Sequence, residues 1–123
     1  MASSLSAYMR HTILEHCFRA QPWTPPTTVY FSLHSANPGL TGAHEIAGAV
    51  RQPISWAEAV DNLMTTNAAL SVPNMPSSVV AAVGIWDAEV NGHFMWGGDT
   101  TNKTVNTGDE ANLGAGDLTV EIT

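Results

Sequence analysis

The run Val83-Gly84-Ile85-Trp86-Asp87-Ala88, the pair Asn91-Gly92 and the run His93-Phe94-Met95-Trp96-Gly97-Gly98 constrain this chain more than any other feature. Asn-Gly is the favoured filler of a two-residue turn whose central residues both take positive φ, so the segment predicts a β-hairpin. Asp87 is placed to cap the approach to that turn, since Asp bonds to nearby backbone at such corners. Trp86 and Trp96 flank the hairpin. An indole buries a large area but needs a partner for its N–H, so each is a core anchor or a contact residue.

Alternation of period two continues on both sides. Val29, Phe31 and Leu33 against Tyr30, Ser32 and His34 read as a half-buried strand. Val50, Gln52, Ile54 and Trp56 read as another, with Pro53 marking a sheet edge because proline cannot donate to a ladder. Met64, Thr66, Ala68, Leu70 and Val72 predict one long strand closed by Pro73, and Trp56–Asn62 before it is either a helical turn or an irregular excursion. Thr101–Asn106 and Glu110–Leu113 are weaker strand segments, and Leu118, Val120 and Ile122 form the last. Ahead of all these, Leu5 to Arg19 contains no Gly or Pro and repeats Leu5, Met9, Ile13 and Cys17 at every fourth position. That is one helix, with Ser3 and Ser4 as caps and with Leu14 and Phe18 widening its apolar arc. Pro22, Pro25 and Pro26 end it. The expected architecture is all-β: an antiparallel β-sandwich, jelly-roll-like, preceded by one N-terminal α-helix. Residues 1–123 read as a single domain, with the helix at 1–20, a Pro-rich linker at 21–26 and the sandwich at 27–123.

Four Lys and Arg against eleven Asp and Glu give a formal charge of −7, which repels phosphate backbones and excludes nucleic acid as a natural partner. No apolar run approaches the roughly 20 residues of a membrane span, and the start lacks a basic segment with a long apolar core, so synthesis and use in the cytoplasm are expected, without a membrane partner. Charged residues make up only 12% of the chain, about half the usual share of roughly 25%. A surface so poor in charge is easily desolvated and suits packing against neighbours, including further copies of the chain as a dimer or trimer. The candidate interface residues are Leu5, Met9, Ile13 and Phe18 of the helix, with Trp23, Pro25 and Pro26 of the linker.

The side chains that carry chemistry do not assemble into a reactive motif. His11 and His16 are five apart, rotated by about 140° on a helix, and cannot chelate one ion together. His11 and Glu15 share a face as an exposed pair, while His34, His44 and His93 fall in strand-end and loop contexts. Cys17, the single cysteine, excludes an intrachain disulfide and reads as a buried small hydrophobe. Gly-flanked serine elbows and glycine-rich phosphate loops are missing, so no catalytic residue, metal ligand or cofactor is assigned.

In order along the chain, Trp23-Thr24-Pro25-Pro26, Thr28 to Leu33, Gly48 to Trp56, Thr66 to Leu70, Val83 to Ala88, Met95-Trp96-Gly97 and Lys103 to Asp109 form a recognisable series. It resembles a family of small virion proteins of tailed bacteriophages, often labelled tail fibre proteins, and is similar nearly throughout. The chain departs from that pattern at Glu58–Met64, where the family is richer in small residues. The resemblance implies a non-enzymatic structural subunit of the virion, made in the host bacterial cytoplasm. Related-looking β-sandwich proteins serve as capsid cement, so the first expectation is a decoration protein bound to the major capsid protein on the outer face of the head. The alternative is a tail fibre or tail-tip subunit that contacts tail proteins and the host. A sugar-binding or hydrolytic domain is a third reading, and it requires an aromatic-lined cleft with convergent polar groups.

Overall fold

The computed structural model describes residues 3–121. The chain runs β1 (Ser3–Leu5), α1 (Ala7–Arg19), β2 (Tyr30–His34), β3 (Gln52–Pro53), β4 (Leu63–Thr65), β5 (Leu70–Val72), β6 (Ser78–Trp86), β7 (Phe94–Val105), β8 (Ala111–Leu113) and β9 (Thr119–Glu121). A five-stranded antiparallel sheet has the order β1-β7-β6-β2-β3, and two antiparallel ribbons, β4–β9 and β5–β8, complete the sandwich. Phe31 and Leu33 of β2, Val83 and Ile85 of β6, and Trp96 and Val105 of β7 share the core with Leu70 and Val72 of β5, Met75 and Leu118. Each such side chain contributes about 1.5–3 kcal/mol by leaving water. The mostly β, antiparallel architecture with one N-terminal helix is the one read from the sequence.

The expected hairpin is β6 and β7. Asn91 and Gly92 both take positive φ, 59° and 76°, and Asp87 caps the corner by accepting the His93 backbone N–H at 2.6 Å. The connection is longer than the two residues expected, because Trp86 pairs with Phe94 and Asp87–His93 forms the loop. A register shift next to this pair sets Ile85 opposite Trp96, leaving Met95 as a bulge. Pro53 sits on an edge strand, as its missing donor requires.

Several boundaries differ from the sequence reading. Ser3–Leu5 is not helical but pairs with Gly98, Gly97 and Trp96 of β7. The helix starts at Ala7, two residues later than expected, because Ser6, fully buried, is the residue whose Oγ accepts the Met9 N–H, while its own N–H donates to the Met95 carbonyl. The long strand expected from Met64 to Val72 is two strands in different ribbons, because Thr66 turns away to receive Gly116 on its carbonyl and its hydroxyl. The segment Trp56–Asn62 is irregular and ends in a tight turn, with Val60 and Leu63 exchanging backbone hydrogen bonds. Thr101–Val105 is not a separate strand but the far half of β7. Ile122 lies outside the described residues.

Strand β2 is buried on both faces rather than half-buried. Phe31 and Leu33 enter the main core, and the opposite face is closed by the loop that follows β2. His34 and Pro38 are fully buried there, Ile46 N–H returns to the Leu33 carbonyl, and Gly42 packs so tightly on the second face that a Cβ would lie 2.7 Å from the Trp86 ring. His34, read from the sequence as a strand-end residue beside a loop, is therefore fully buried beneath that loop.

Candidate functional site

Helix α1 rests on the β7 side of the large sheet and buries only Met9 and Thr12. The candidate interface residues consequently divide. Leu5 is half-buried against the main core, Met9 is buried beneath the helix, and Ile13 is half-buried. Phe18 points outward, 79% exposed, with Leu14 one turn earlier at 58%. Cys17, expected to be buried, is exposed together with the rest of the last helical turn, His16 to Arg19. Of the linker, Pro25 is exposed while Trp23 and Pro26 are half-buried. The outward apolar surface of the helix is thus Leu14 and Phe18, and Leu14 was not among the candidates.

The linker does not run away from the helix but folds back along it. Ala20 takes the left-handed conformation, φ 55°, that terminates many helices, and Gln21 N–H joins it in donating to the Glu15 carbonyl. This reversal places Trp23 beside α1, where its indole N–H donates to the Tyr8 hydroxyl at 3.2 Å and its ring meets His16 edge-on at 6.2 Å. Tyr8 in turn lies flat on His93, centroids 4.1 Å apart and planes 6° apart, and His93 Nδ1 pairs with Asp87 Oδ2 at 2.9 Å. Trp23 is thereby tied to the tip of the β6–β7 hairpin. Between helix and linker runs a groove of about 290 Å3, lined by His11, Thr12, Glu15, His16, Gln21 and Trp23, with Pro22. Glu15 pairs with Arg19 across one helical turn rather than with His11. Tyr8 carried no sequence signal, since its role depends on a stacking partner far along the chain.

Behind the hairpin tip lies a buried polar network that sequence reasoning missed. Arg51, only 8% exposed in its side chain, forms a two-pronged pair with Glu45 at 2.8 and 2.9 Å. It also donates to the Ala88 and Asn91 carbonyls and stacks over Trp86 at 3.8 Å. Arg51 thus closes the loop 87–93 against the segment before β3. The Trp86 N–H donates to Ser32 Oγ at 2.9 Å, and Ser32 Oγ lies 2.7 Å from His34 Nε2. His34 Nδ1 faces the Ala43 carbonyl at 2.8 Å, and a carbonyl can only accept. Nδ1 therefore carries the proton, and Nε2 accepts from the Ser32 hydroxyl.

A serine beside a histidine base is the pairing of a nucleophile, but Ser32 is 2% exposed and His34 is not exposed at all. The chain of bonds locks β2, β6 and the following loop together. Loss of hydration on burial pushes the His34 pKa below its ordinary value, and Arg51 and His44 push the same way against the Ala43 carbonyl and Glu45. Among the described residues no group of three His, Cys, Asp or Glu is arranged to hold a metal ion, and no helix is long and apolar enough to cross a membrane.

The chain is an antiparallel sandwich with its Ser32–His34 pair sealed in the interior and its exposed apolar and aromatic features on an N-terminal helix and linker. The chain belongs to the family described as Podophage GP4 fiber I protein gp80, which it matches over residues 4–121. Among curated proteins none matches the chain. The resemblance to phage virion proteins is thus established as family membership, and the family's fibre description agrees better with the tail fibre alternative than with the first expectation of a capsid cement.

Proposed function

We propose that this protein is a non-enzymatic structural subunit of the phage fibre apparatus at the tail, held in place by neighbouring tail proteins and by copies of itself. The observation that carries this reading is the match of residues 4–121 to a fibre protein family. The fold supports it. An exposed Phe18 and Leu14 one turn apart give α1 an apolar strip of the kind that anchors protein contacts, flanked by a linker whose exposed Pro25 adds little conformational entropy to lose on association. The paucity of charge keeps that strip easy to desolvate. Sealing the Ser32–His34 pair is what a building element needs, since rigidity rather than substrate access is its requirement.

The test is antibody labelling of intact particles viewed by electron microscopy. Gold confined to the tail end supports the fibre reading. Gold spread over the head lattice would replace it with the cement reading, in which binding to several shell subunits at once stabilises the closed shell.

A further inference from the structure

We infer that the groove between α1 and the returning linker is a saccharide site, in which one face of a neutral hexopyranose ring lies on Trp23 and its hydroxyls meet Thr12, Glu15, Gln21 and the two histidines. The inference goes beyond the fibre reading and does not depend on it, because sugar binding is measured on the isolated chain without a virion.

Three observations carry it. Trp23 is only half-buried, yet its orientation is fixed by its own bond to Tyr8, by the stacking of Tyr8 on His93 and by the pairing of His93 with Asp87. The same tryptophan lines the groove between helix and linker. Held at a groove, the indole is a preformed apolar platform, and preorganisation removes much of the entropy lost on binding.

The remaining walls are polar and short of net charge. Glu15 is already paired with Arg19, so the carboxylate is compensated. His16 Nδ1 donates to the Gln21 carbonyl, which leaves Nε2 for a ligand, and His11 lines the same groove. Gln21 Nε2 reaches the Arg19 carbonyl at 3.3 Å, a long contact that a ligand hydroxyl could outbid. An aromatic face bordered by neutral donors and acceptors matches a sugar, which presents C–H groups on one side and a rim of hydroxyls. An anion would meet a chain of net charge −7, and a purely apolar group would leave the polar rim unpaired.

Size agrees. The volume of about 290 Å3 is at the lower end of the roughly 300–1,000 Å3 of ligand sites, room for one ring rather than a long chain. The groove is open, so affinity near the roughly millimolar level is expected for one site.

The experiment is a titration of the isotope-labelled full chain at pH 7.5, followed by two-dimensional amide and indole NMR. The probes are methyl α-glucoside, methyl α-mannoside and methyl β-galactoside, each carried to tens of millimolar, with maltotriose as a chain-length arm. Saturable shifts of the Trp23 indole N–H and the Gln21 side-chain amide are expected with at least one glycoside, and the Trp96 indole should stay still. Tighter binding of the trisaccharide assigns the site to a residue of a glycan chain, and equal binding assigns it to a single sugar. Trp23→Ala should weaken binding by about tenfold, the weight of one ring contact. Tyr8→Phe should weaken it less, through loss of the indole's hydrogen bond, with the fold of each variant checked by its unchanged amide spectrum away from the groove. Absence of saturable shifts at Trp23 with every probe, or equal binding by folded Trp23→Ala, would overturn the inference.

Discussion

Replacing Arg51 with Met tests whether the hairpin tip is fastened by one buried side chain. Methionine keeps most of the stem's apolar volume but removes four hydrogen bonds: two to Glu45 and one each to the Ala88 and Asn91 carbonyls. Contact of the guanidinium with the Trp86 face is lost as well. Summing those terms would overshoot, because Arg51 gave up its hydration to make them. Measured losses when one partner of a buried pair is removed run to about 3–5 kcal/mol, mainly through the charge left behind. Glu45 keeps 27% of its side chain in solvent and can rehydrate, which places the expectation at the low end, about 3 kcal/mol. At about 3–4 °C per kcal/mol for a chain of this size, the melting temperature should fall by about 10 °C. Urea unfolding followed by tryptophan fluorescence reads the free energy directly, and the double variant with Glu45→Gln should show a coupling of about 1–2 kcal/mol. Amides of residues 87–93 should also exchange faster than those of β2. A loss below about 1 kcal/mol would refute the idea that Arg51 fastens this loop and would make its network a surface ornament.

Three further outcomes follow from the same geometry. His34 is buried as the neutral imidazole with a lowered pKa, so the unfolded chain binds the proton more readily; stability should hold above about pH 6.5 and fall as pH drops below it, by at most about 1.4 kcal/mol per pH unit. His34→Gln should remove this part of the pH dependence, and an identical slope in both proteins would contradict it. Gly92→Val puts a β-branched residue at φ 76° and its Cβ against Asp87 and Ala88, so a loss of about 2 kcal/mol or more is expected, and an unchanged melting temperature would deny that turn geometry. Changing Leu14 and Phe18 together to Ser should leave the monomer's melting temperature within a few degrees, because both are exposed, while lowering oligomer mass in light scattering or incorporation into particles. If neither assembly measure moves, that strip is not an interface.

Much of the architecture was written in local patterns. Period-two alternation located β2, the β6–β7 hairpin and β9, and the positive φ at Asn91 and Gly92 followed from the dipeptide alone. What local pattern cannot reveal is a choice between competing partners. Ser3, Ser4 and Ser6 are all chemically able to cap a helix, and Ser6 does so only because the edge of β7 draws Ser3–Leu5 into a sheet. Thr66 interrupts an otherwise continuous strand pattern by bonding to Gly116, fifty residues away. His34 alternates with Leu33 as a solvent-facing residue would, and its burial depends on a loop folding over the second face of the sheet. The site was less legible still. Trp23 was visible as a candidate contact residue of the linker, but Tyr8, Arg51 and the groove arise from contacts distant in sequence, for which spacing gives no signal.

Whether the chain is a fibre component or a lattice cement is addressed most directly by quantitative mass spectrometry of purified particles. The expected result is a copy number tied to the tail's symmetry, with the protein missing from tailless heads. A copy number in fixed proportion to the major capsid protein, retained on tailless heads, would contradict it.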